Sequence, residues 1–539
     1  RNNPPQNMYS KSREEGLFGT QGAQGINFSK YNDIKVDVKL PAGGSSDADV
    51  IPALKHFDDL ASKLDSTLKG NIVKMRYTTP TPIQRHAIPQ AMNGQDLMCC
   101  AQTGSGKTCA FLLPVCAAFA KSGRPKEHGG GNGPTPCSPR CVVMAPTREL
   151  ASQIEVEAQK LTFGLKNVRT VAVYGGANQR KQLRDLAFGA DIIVATPGRL
   201  TDFVERNLVS LASVEFLILD EADRMLDMGF EPQIRRLVLQ SNMKTKESGR
   251  QTLMFSATFP GPIQKLAGAF MRPYVWIAVG RVGSTTSSIT QVLIKAENDK
   301  KKKLKLVVKA IEEGPKGRTL VFVQKKRTAT WVKKQLIRGG NVGDNAKEQD
   351  MFTPIPAEDI HGDRSQAQRE KALAAFRAGT CTVLVATDVA ARGLDISGVE
   401  HVVNMDLPVA KEEFDSYVHR IGRTGRAGHT GVATSLYVPG DGPGQNSKIA
   451  SVLVTQLREA KQNVPAWLDA ECVVSSKAPK SKTTFGGSDV RANGGRNNGR
   501  QQHQNGGGTG GGRGRGGRGK GGRGGRGMGG RGSNKSSNN

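Results

Sequence analysis

Eight residues, Ala101 to Thr108, have the composition and surroundings of a phosphate-binding loop. They read AQTGSGKT, follow the apolar run Leu97–Cys100 and precede a helix-like segment. Glycine permits a backbone curl that points N–H groups at an anion, and a helix N-terminus adds partial positive charge. Lys107 can reach the β and γ phosphates, and the Thr108 hydroxyl can bind Mg²⁺. The alternative, a glycine-rich turn before an ordinary helix, is disfavoured by the strand–loop–helix order. The sequence therefore predicts that a nucleoside triphosphate is held by Thr103, Gly104, Ser105, Gly106, Lys107 and Thr108.

A second group of reactive side chains, Asp220 to Asp223, reads DEAD and closes the apolar run Phe216–Leu219. Carboxylates at the carboxyl end of a parallel strand lie beside the phosphate loop in doubly wound sheets. Asp220 can hold Mg²⁺, and Glu221 can orient or deprotonate an attacking water. Alone, such a tetrapeptide is usually a solvated cap, but the buried strand and the upstream loop favour a catalytic function.

Short apolar runs that alternate with amphipathic stretches must position these side chains. This alternation is typical of a parallel sheet covered on both faces. The sequence therefore predicts an α/β fold with two such domains in tandem, of which only the first has a phosphate loop. The runs of the first series are 97–100, 141–145, 171–173, 191–195, 216–219, 253–255 and 275–279, and those of the second are 291–294, 320–323, 383–386, 401–405 and 432–437.

Composition predicts the domain boundaries. Residues 1–55 are predicted to be a disordered extension, 56–280 and 289–470 the two domains, 281–288 a linker, and 471–539 a disordered tail. Surface loops are expected at about 121–140 and 339–357. Arg-Gly steps recur after Phe485, which favours sequence-tolerant RNA binding over a merely solubilising tail.

The charge balance favours a polyanionic partner. The chain has 77 Lys and Arg against 48 Asp and Glu, a net charge of +29. Nucleic acid is the first candidate and an anionic membrane surface the second. No apolar run approaches the roughly 20 residues of a membrane span, so a soluble chain is expected. With nucleic acid favoured, no membrane partner is expected. The eight scattered cysteines lack a CxxC pair, which predicts reduced thiols and no zinc site.

The ordered motifs of the chain resemble those of DEAD-box RNA helicases of superfamily two. The resemblance covers about residues 57 to 440, and the flanks 25–34 (GINFSKYNDI) and 458–468 (REAKQNVPAWL) look closest to the Vasa and Belle branch. Besides AQTGSGKT and DEAD, the motifs are PTPIQ (80–84), PTRELA (146–151), the pair Gly175-Gly176, TPGR (196–199), SAT (256–258), HGD (361–363), ATDVAARGLDI (386–396) and HRIGRTGR (419–426).

The resemblance implies two RecA-like domains that bind ATP and Mg²⁺ between them. Gln84 would bind the adenine edge, with Tyr77 nearby, and Asp395 the ribose. Phe57 would stack on the base, although its spacing of 20 residues from Tyr77 leaves a core position as the alternative. Catalysis would involve Lys107, Asp220 and Glu221, the arginine fingers Arg423 and Arg426, and the residues Asp223, Ser256, Thr258 and His419 that link the ATP and RNA sites.

RNA contacts would come from both domains and read phosphates and 2′-hydroxyls rather than bases. Lys325 stands where many family members have threonine. The implied RNA-binding residues are Pro146, Thr147, Arg148, Gly175, Gly176, Thr196, Gly198, Arg199, Gly362, Arg364, Arg369 and Thr387.

The resemblance thus implies an ATP-dependent RNA helicase that separates short duplexes locally when its domains close. An ATP-gated RNA clamp or granule scaffold and a DNA-directed helicase are the alternatives. The Vasa and Belle branch suggests a cytoplasmic protein of translation or mRNA regulation, with a nuclear or RNP-granule pool and translation or granule proteins as further partners.

Overall fold

Two parallel sheets, each covered by helices on both faces, organise the chain. The computed structural model describes residues 11–19, 34–41, 51–101, 104–122, 135–165, 168–280, 288–341, 351–388, 398–425 and 430–475. The predicted α/β fold with two RecA-like domains is confirmed.

The first sheet has, within the described residues, the order β1-β8-β2-β7-β6-β3-β5-β4. All neighbours are parallel except β1, which pairs antiparallel with β8. Near-continuous apolar runs form these strands because helices bury both faces. The strands are β1 (Val36–Lys39), β2 (Asp96–Cys100), β3 (Cys141–Met144), β4 (Thr170–Val173), β5 (Ile192–Ala195), β6 (Phe216–Leu219), β7 (Gln251–Ser256) and β8 (Tyr274–Val279).

Alternate residues of β2 feed two separate cores. Leu97 and Cys99 join the apolar cluster on one face, and Met98 and Cys100 join the cluster on the other. Helices cover both faces, and some of them begin with a side-chain cap; the Thr147 hydroxyl, for example, accepts a hydrogen bond from the Leu150 N–H. The helices are α1 (Lys11–Phe18), α2 (Ser66–Lys74), α3 (Pro82–Met92), α4 (Lys107–Ser122), α5 (Arg148–Leu161), α6 (Gln179–Ala187), α7 (Pro197–Glu205), α8 (Ala222–Asp227), α9 (Glu231–Leu239) and α10 (Gly261–Phe270).

The second sheet has the order β13-β14-β10-β15-β16-β9, all parallel, and a small hairpin, β11-β12, lies apart from it. Its strands and the hairpin are β9 (Ile289–Lys295), β10 (Arg318–Phe322), β11 (Gly340–Asn341), β12 (Met351–Phe352), β13 (Ala357–Ile360), β14 (Val383–Ala386), β15 (Val399–Asn404) and β16 (Gly431–Tyr437). Its helices are α11 (Lys300–Glu313), α12 (Lys326–Arg338), α13 (Gln366–Arg377), α14 (Phe414–Ile421), α15 (Ala450–Glu459) and α16 (Ala466–Ser475).

The predicted apolar runs all lie on strands, but several elements were missed. The first is β1, inside the segment that was predicted to be disordered, where Val36 and Val38 pair with β8. The helix α1 lies in the same segment. The strand β13 was missed because its AEDI sequence carries two acids, and the hairpin β11-β12 begins and ends the predicted loop at 339–357. The domain boundaries stay predictions; the linker residues 281–287 and the tail from 476 onward lie outside the described residues.

All eight cysteines are free thiols, and seven of them are buried. Among the helices that the structure describes, none is both long and apolar enough to cross a lipid bilayer.

Candidate functional site

The carboxyl ends of three neighbouring strands, β2, β7 and β6, bring the predicted catalytic residues together. The loop to α4 leaves β2, Ser256 ends β7, and Asp220 follows β6. Lys107 is buried, and its ammonium group donates a hydrogen bond of 2.9 Å to the Ala101 carbonyl across the loop. Thr103, which was predicted to bind phosphate, lies outside the described residues, whereas Gly104, Ser105, Gly106 and Thr108 surround the start of α4.

Gln84 ties the start of α3 to this loop. Its side-chain oxygen accepts the Thr81 N–H at 2.8 Å, and its amide nitrogen donates to the Gly106 carbonyl at 3.1 Å. Gly106 has φ +88°, and a Cβ there would lie 2.6 Å from the Gln84 amide nitrogen, so the close approach requires glycine. This contact positions Gln84 beside the phosphate loop, and its predicted adenine contact stays a prediction.

Phe57 and Tyr77 stack on each other. Their ring centroids are 6.0 Å apart with an interplanar angle of 18°. Phe57 is only 7% exposed and belongs to the apolar core, as the alternative interpretation held. The Tyr77 hydroxyl donates to Glu157 at 3.2 Å, and burial, with the Glu157 charge, raises the pKa of Tyr77 well above its ordinary value. The pair is therefore a rigid part of the fold, which leaves the proposed base-stacking role of Phe57 untested.

Asp220 and Glu221 are buried neighbours with opposite pKa shifts. Burial raises the pKa of Asp220 to about 6, opposed by Lys107. Burial alone would also raise the pKa of Glu221, but Arg224 and then Arg423 outweigh it and hold that pKa below its ordinary value. Glu221 has φ +50°, a strained conformation for a non-glycine residue. Strain of this kind is concentrated at functional sites.

The donor set at this edge of the sheet fits Mg²⁺. The Asp220 carboxylate and the Thr108 hydroxyl are hard oxygen ligands, which Mg²⁺ prefers alongside phosphate oxygens and water. The Glu221 Oε2 atom is buried and accepts no hydrogen bond from the described residues, which suits an acceptor for a bound water.

Asp223 connects this edge to the second domain. Its Oδ2 atom accepts hydrogen bonds from the Thr258 N–H and hydroxyl, both at 3.0 Å, and lies 3.5 Å from His419 Nε2 on α14. Burial opposes ionisation of Asp223, but the His419 contact and Arg224 lower its pKa far below the ordinary value. Burial, and then the charge of Arg224, lower the pKa of His419 to about 4, so a neutral imidazole faces an ionised carboxylate. Ser256, predicted to share this role, is fully buried.

Arg423 of the second domain lies close enough to the predicted catalytic residues for its charge to act on Glu221. It is buried, its Nε donates to the His419 carbonyl at 3.2 Å, and its charge helps to lower the pKa of Glu221. Its partner finger Arg426 and the predicted ribose ligand Asp395 lie outside the described residues.

Asp415, also on α14, is an interdomain residue that the sequence did not reveal. Burial, and then the charges of Asp223 and Asp227, raise its pKa to about 7, while a hydrogen bond with Thr258 opposes the shift. No sequence motif includes Asp415, because its burial arises only where α14 meets the first domain.

The predicted RNA-binding residues of the first domain follow the carboxyl ends of β3, β4 and β5, which are neighbours in the sheet. The Arg148 guanidinium lies so close to Gly176 (φ +74°) that a Cβ there would clash with it. The others occupy the same edge: Pro146 and Thr147 after β3, Gly175 after β4, and Thr196, Gly198 and Arg199 after β5.

The predicted RNA-binding residues of the second domain follow β13 and β14, and two of them are committed to ion pairs. Arg364 binds Asp359 through one nitrogen at 2.7 and 2.6 Å. Arg369 lies 2.9 Å from Glu149 of the first domain, and both side chains are almost fully buried. Gly362 adjoins the Lys326 side chain, and Thr387 is buried after β14.

A further domain contact joins Arg148 to the Gln366 side chain at 3.0 Å. Sequence reasoning assigned Arg148 and Arg369 to RNA and missed both of these contacts, because they join residues more than 200 positions apart.

The segments that carry these residues match known family models. The DEAD/DEAH box helicase model matches residues 81–266, and the helicase conserved C-terminal domain model matches residues 302–428. The RNA-helicase Prp28 from Chaetomium thermophilum bound to ADP is 34% identical, with 83% of this chain and 96% of that chain covered and a TM-score of 0.39. Dbp5 of S. cerevisiae bound to RNA and ADP BeF3 is 26% identical, with 78% and 99% covered and a TM-score of 0.60. Mss116p bound to ssRNA and AMP-PNP is 25% identical, with 82% and 85% covered and a TM-score of 0.61.

Proposed function

This chain belongs to the DEAD/DEAH box helicase family as an RNA-dependent ATPase, and from that premise we propose that it couples ATP hydrolysis to local, non-processive separation of short RNA duplexes. One observation carries the proposal: side chains of both domains meet at the sheet edge that holds the predicted catalytic residues. Arg423 and His419 of the second domain reach Glu221 and Asp223 of the first. Hydrolysis therefore requires that the two domains be held together.

In the proposed mechanism each buried group at the edge has a distinct task. Lys107 binds the β and γ phosphates, and Glu221, kept ionised by Arg224 and Arg423, orients the attacking water and accepts its proton. Asp220 and Thr108 would hold Mg²⁺, which supplies charge neutralisation for the phosphates. Arg423 stabilises the negative charge that develops on the γ-phosphate.

RNA would promote this arrangement by binding to both domains at once. This proposal is supported by the contacts Arg148–Gln366 and Arg369–Glu149, which join the two domains beside the residues proposed to bind RNA. A strand that binds both edges favours the joined state, so RNA raises ATP turnover and ATP raises RNA affinity by the same factor. The solved Dbp5 and Mss116p complexes, which hold RNA and an ATP analogue together, support this coupling.

Finer assignments are part of the same proposal. Sequence-independent contacts to phosphates and 2′-hydroxyls favour RNA over DNA. The flanking segments 25–34 and 458–468 support the Vasa and Belle branch, and with it a cytoplasmic role in translation or mRNA regulation with partners from those assemblies.

The deciding experiment compares ATP turnover and strand separation with matched nucleic acids. We expect RNA to stimulate turnover and DNA of the same sequence to do so weakly. We also expect a short RNA duplex to separate at enzyme concentrations below that of the duplex, with Glu221→Gln as the hydrolysis-deficient control. RNA-stimulated turnover without strand separation would instead identify an ATP-gated clamp or scaffold. Equal stimulation by DNA would contradict the RNA preference.

A further inference from the structure

The exposed surface of α12 carries a basic stripe formed by Arg327, Trp331, Lys334 and Arg338. At about 3.6 residues per turn, these positions fall on one side of the helix. The three cations are exposed, and the tryptophan between them is half-buried. Nothing in the proposed catalytic cycle uses this stripe.

The other two sides of α12 differ from the stripe, because one is buried in the core and the other is paired with acidic side chains. Ala329, Val332 and Leu336 are buried in the core. Lys326 pairs with Asp363 at 2.7 Å, and Lys333 lies beside Glu358.

Arg327, Lys334 and Arg338 form no ion pair with a carboxylate in the part of the chain that the structure describes, although Lys326, helped by the charge of Arg327, lowers the pKa of Asp363. Trp331 packs partly against the apolar core, and the Lys300 ammonium group of α11 lies over its ring, 4.7 Å from the ring centre. Cations interleaved with an aromatic ring are typical of a surface that follows a nucleic-acid backbone and stacks its bases.

The stripe also begins beside the proposed RNA track, which is the row of predicted RNA-binding residues along the neighbouring edges of the two sheets. Lys326, next to Arg327, adjoins Gly362, a predicted RNA contact. From Arg327 to Arg338 the helix rises about 16 Å, which leads away from the edge between the domains. A strand that leaves the track beside Gly362 therefore meets the stripe along its length.

We propose that Arg327, Trp331, Lys334 and Arg338 form a second RNA-contact surface, which binds the part of a single strand that extends beyond the track between the domains. The cations pair with phosphates, and Trp331 exchanges its Lys300 contact for a stacked base. This inference rests on the proposed RNA-dependent activity and extends it to substrate length. It predicts that the protein prefers strands longer than the track.

The test uses the full chain with a non-hydrolysable ATP analogue and two oligoribonucleotides. The short one spans only the track, and the long one is extended at the 5′ or the 3′ end. The variant is the triple substitution Arg327→Gln, Lys334→Gln and Arg338→Gln. The matched control removes three exposed lysines of the first domain, Lys63, Lys69 and Lys265, by the same change to Gln.

We expect the triple variant to bind the long strand more weakly, with a salt slope lower by about 2, since each single-strand phosphate contact contributes about 0.7. Its affinity for the short strand should equal that of the control. Trp331→Ala should lose about 5-fold or more in affinity for the long strand, and Trp331→Phe should retain most of it. Unaltered ATP turnover with the short strand shows that each variant is folded.

Equal binding of the long strand by the triple variant and the control would overturn the inference and leave α12 with a merely solvated basic face. An equal loss in the control would also overturn it, because net charge alone would then explain the effect. Failure of the unsubstituted protein to bind RNA in a nucleotide-dependent way would instead contradict the proposed function.

Discussion

Removal of the Arg369 charge should weaken RNA-stimulated hydrolysis by separating the two domains. The Arg369 guanidinium lies 2.9 Å from the Glu149 carboxylate, and the two side chains are 11% and 8% exposed. Glu149 is on α5 of the first domain and Arg369 on α13 of the second. Arg369→Gln therefore leaves the carboxylate buried without its charge partner only when the domains are together.

The magnitude follows from that burial. Breaking a buried ion pair by removing one partner costs about 3–5 kcal/mol, because an uncompensated charge remains. The penalty applies to the joined state alone, and each 1.4 kcal/mol is about tenfold in an equilibrium. We expect the RNA concentration that half-maximally stimulates ATP turnover to rise by about 10²- to 4 × 10³-fold. ATP turnover without RNA should be reduced as well, since it depends on the same joined state.

A charge exchange separates this explanation from direct RNA contact by Arg369. The double variant Glu149→Arg with Arg369→Glu should recover much of the loss if the pair joins the domains. If Arg369 instead binds phosphate, Glu149→Gln should leave RNA-stimulated ATP turnover nearly unchanged, and the charge exchange should not restore it. That outcome would refute the reasoning. Arg235→Gln is the control, because Arg235 forms a partly exposed pair with Glu231 at 2.8 Å that contributes at most about 0.5 kcal/mol.

Three further outcomes are expected. Glu221→Gln should retain ATP and RNA binding but lower ATP turnover about 10²- to 10⁴-fold, as loss of a general base does; normal turnover in a phosphate-release assay would contradict that assignment. Folding raises the pKa of Asp220 from about 4 to about 6, so its ionisation destabilises the ligand-free protein as the pH rises through that window. The stability gained by Asp220→Asn in urea unfolding should therefore be about 1.4 kcal/mol larger at about pH 8 than at about pH 5; a pH-independent gain would argue against a raised pKa. Truncation after Thr484 should weaken RNA binding and flatten its salt dependence while leaving RNA-saturated turnover unchanged; unaltered affinity at low salt would identify a solubilising tail.

The parts of the site that could be predicted from sequence are those built from consecutive residues. A buried parallel strand reads as an apolar run, and the residues at its carboxyl end follow directly, so both the phosphate loop after β2 and the Asp220–Asp223 segment after β6 were located. The strand β13 was missed because Asp359, which looks like a surface residue in the sequence, is buried. Its carboxylate accepts hydrogen bonds from Arg364 and Thr330, partners that only the folded chain supplies.

Contacts between the domains could not be predicted for a related reason. Arg148 and Gln366 are 218 positions apart, and Arg148 belongs to a motif that resembles an RNA-binding segment by itself. A local motif reports which side chains a segment offers, whereas the partner of each side chain depends on how the two sheets meet. The burial of Asp415 against the first domain is a second consequence of that meeting, and no sequence pattern marks it.

The opposite pKa shifts of Asp220 and Glu221 place two adjacent buried carboxylates in different electrostatic environments. Both are buried, and burial alone would favour the protonated form of each. Lys107 is the cation that opposes the pKa shift of Asp220, and both belong to the first domain, so the environment of Asp220 is largely the same whether or not the domains meet. Glu221 is held ionised by Arg224 and by Arg423, and Arg423 comes from the second domain. The electrostatic environment of Glu221 therefore depends in part on domain contact, whereas that of Asp220 is set largely within the first domain.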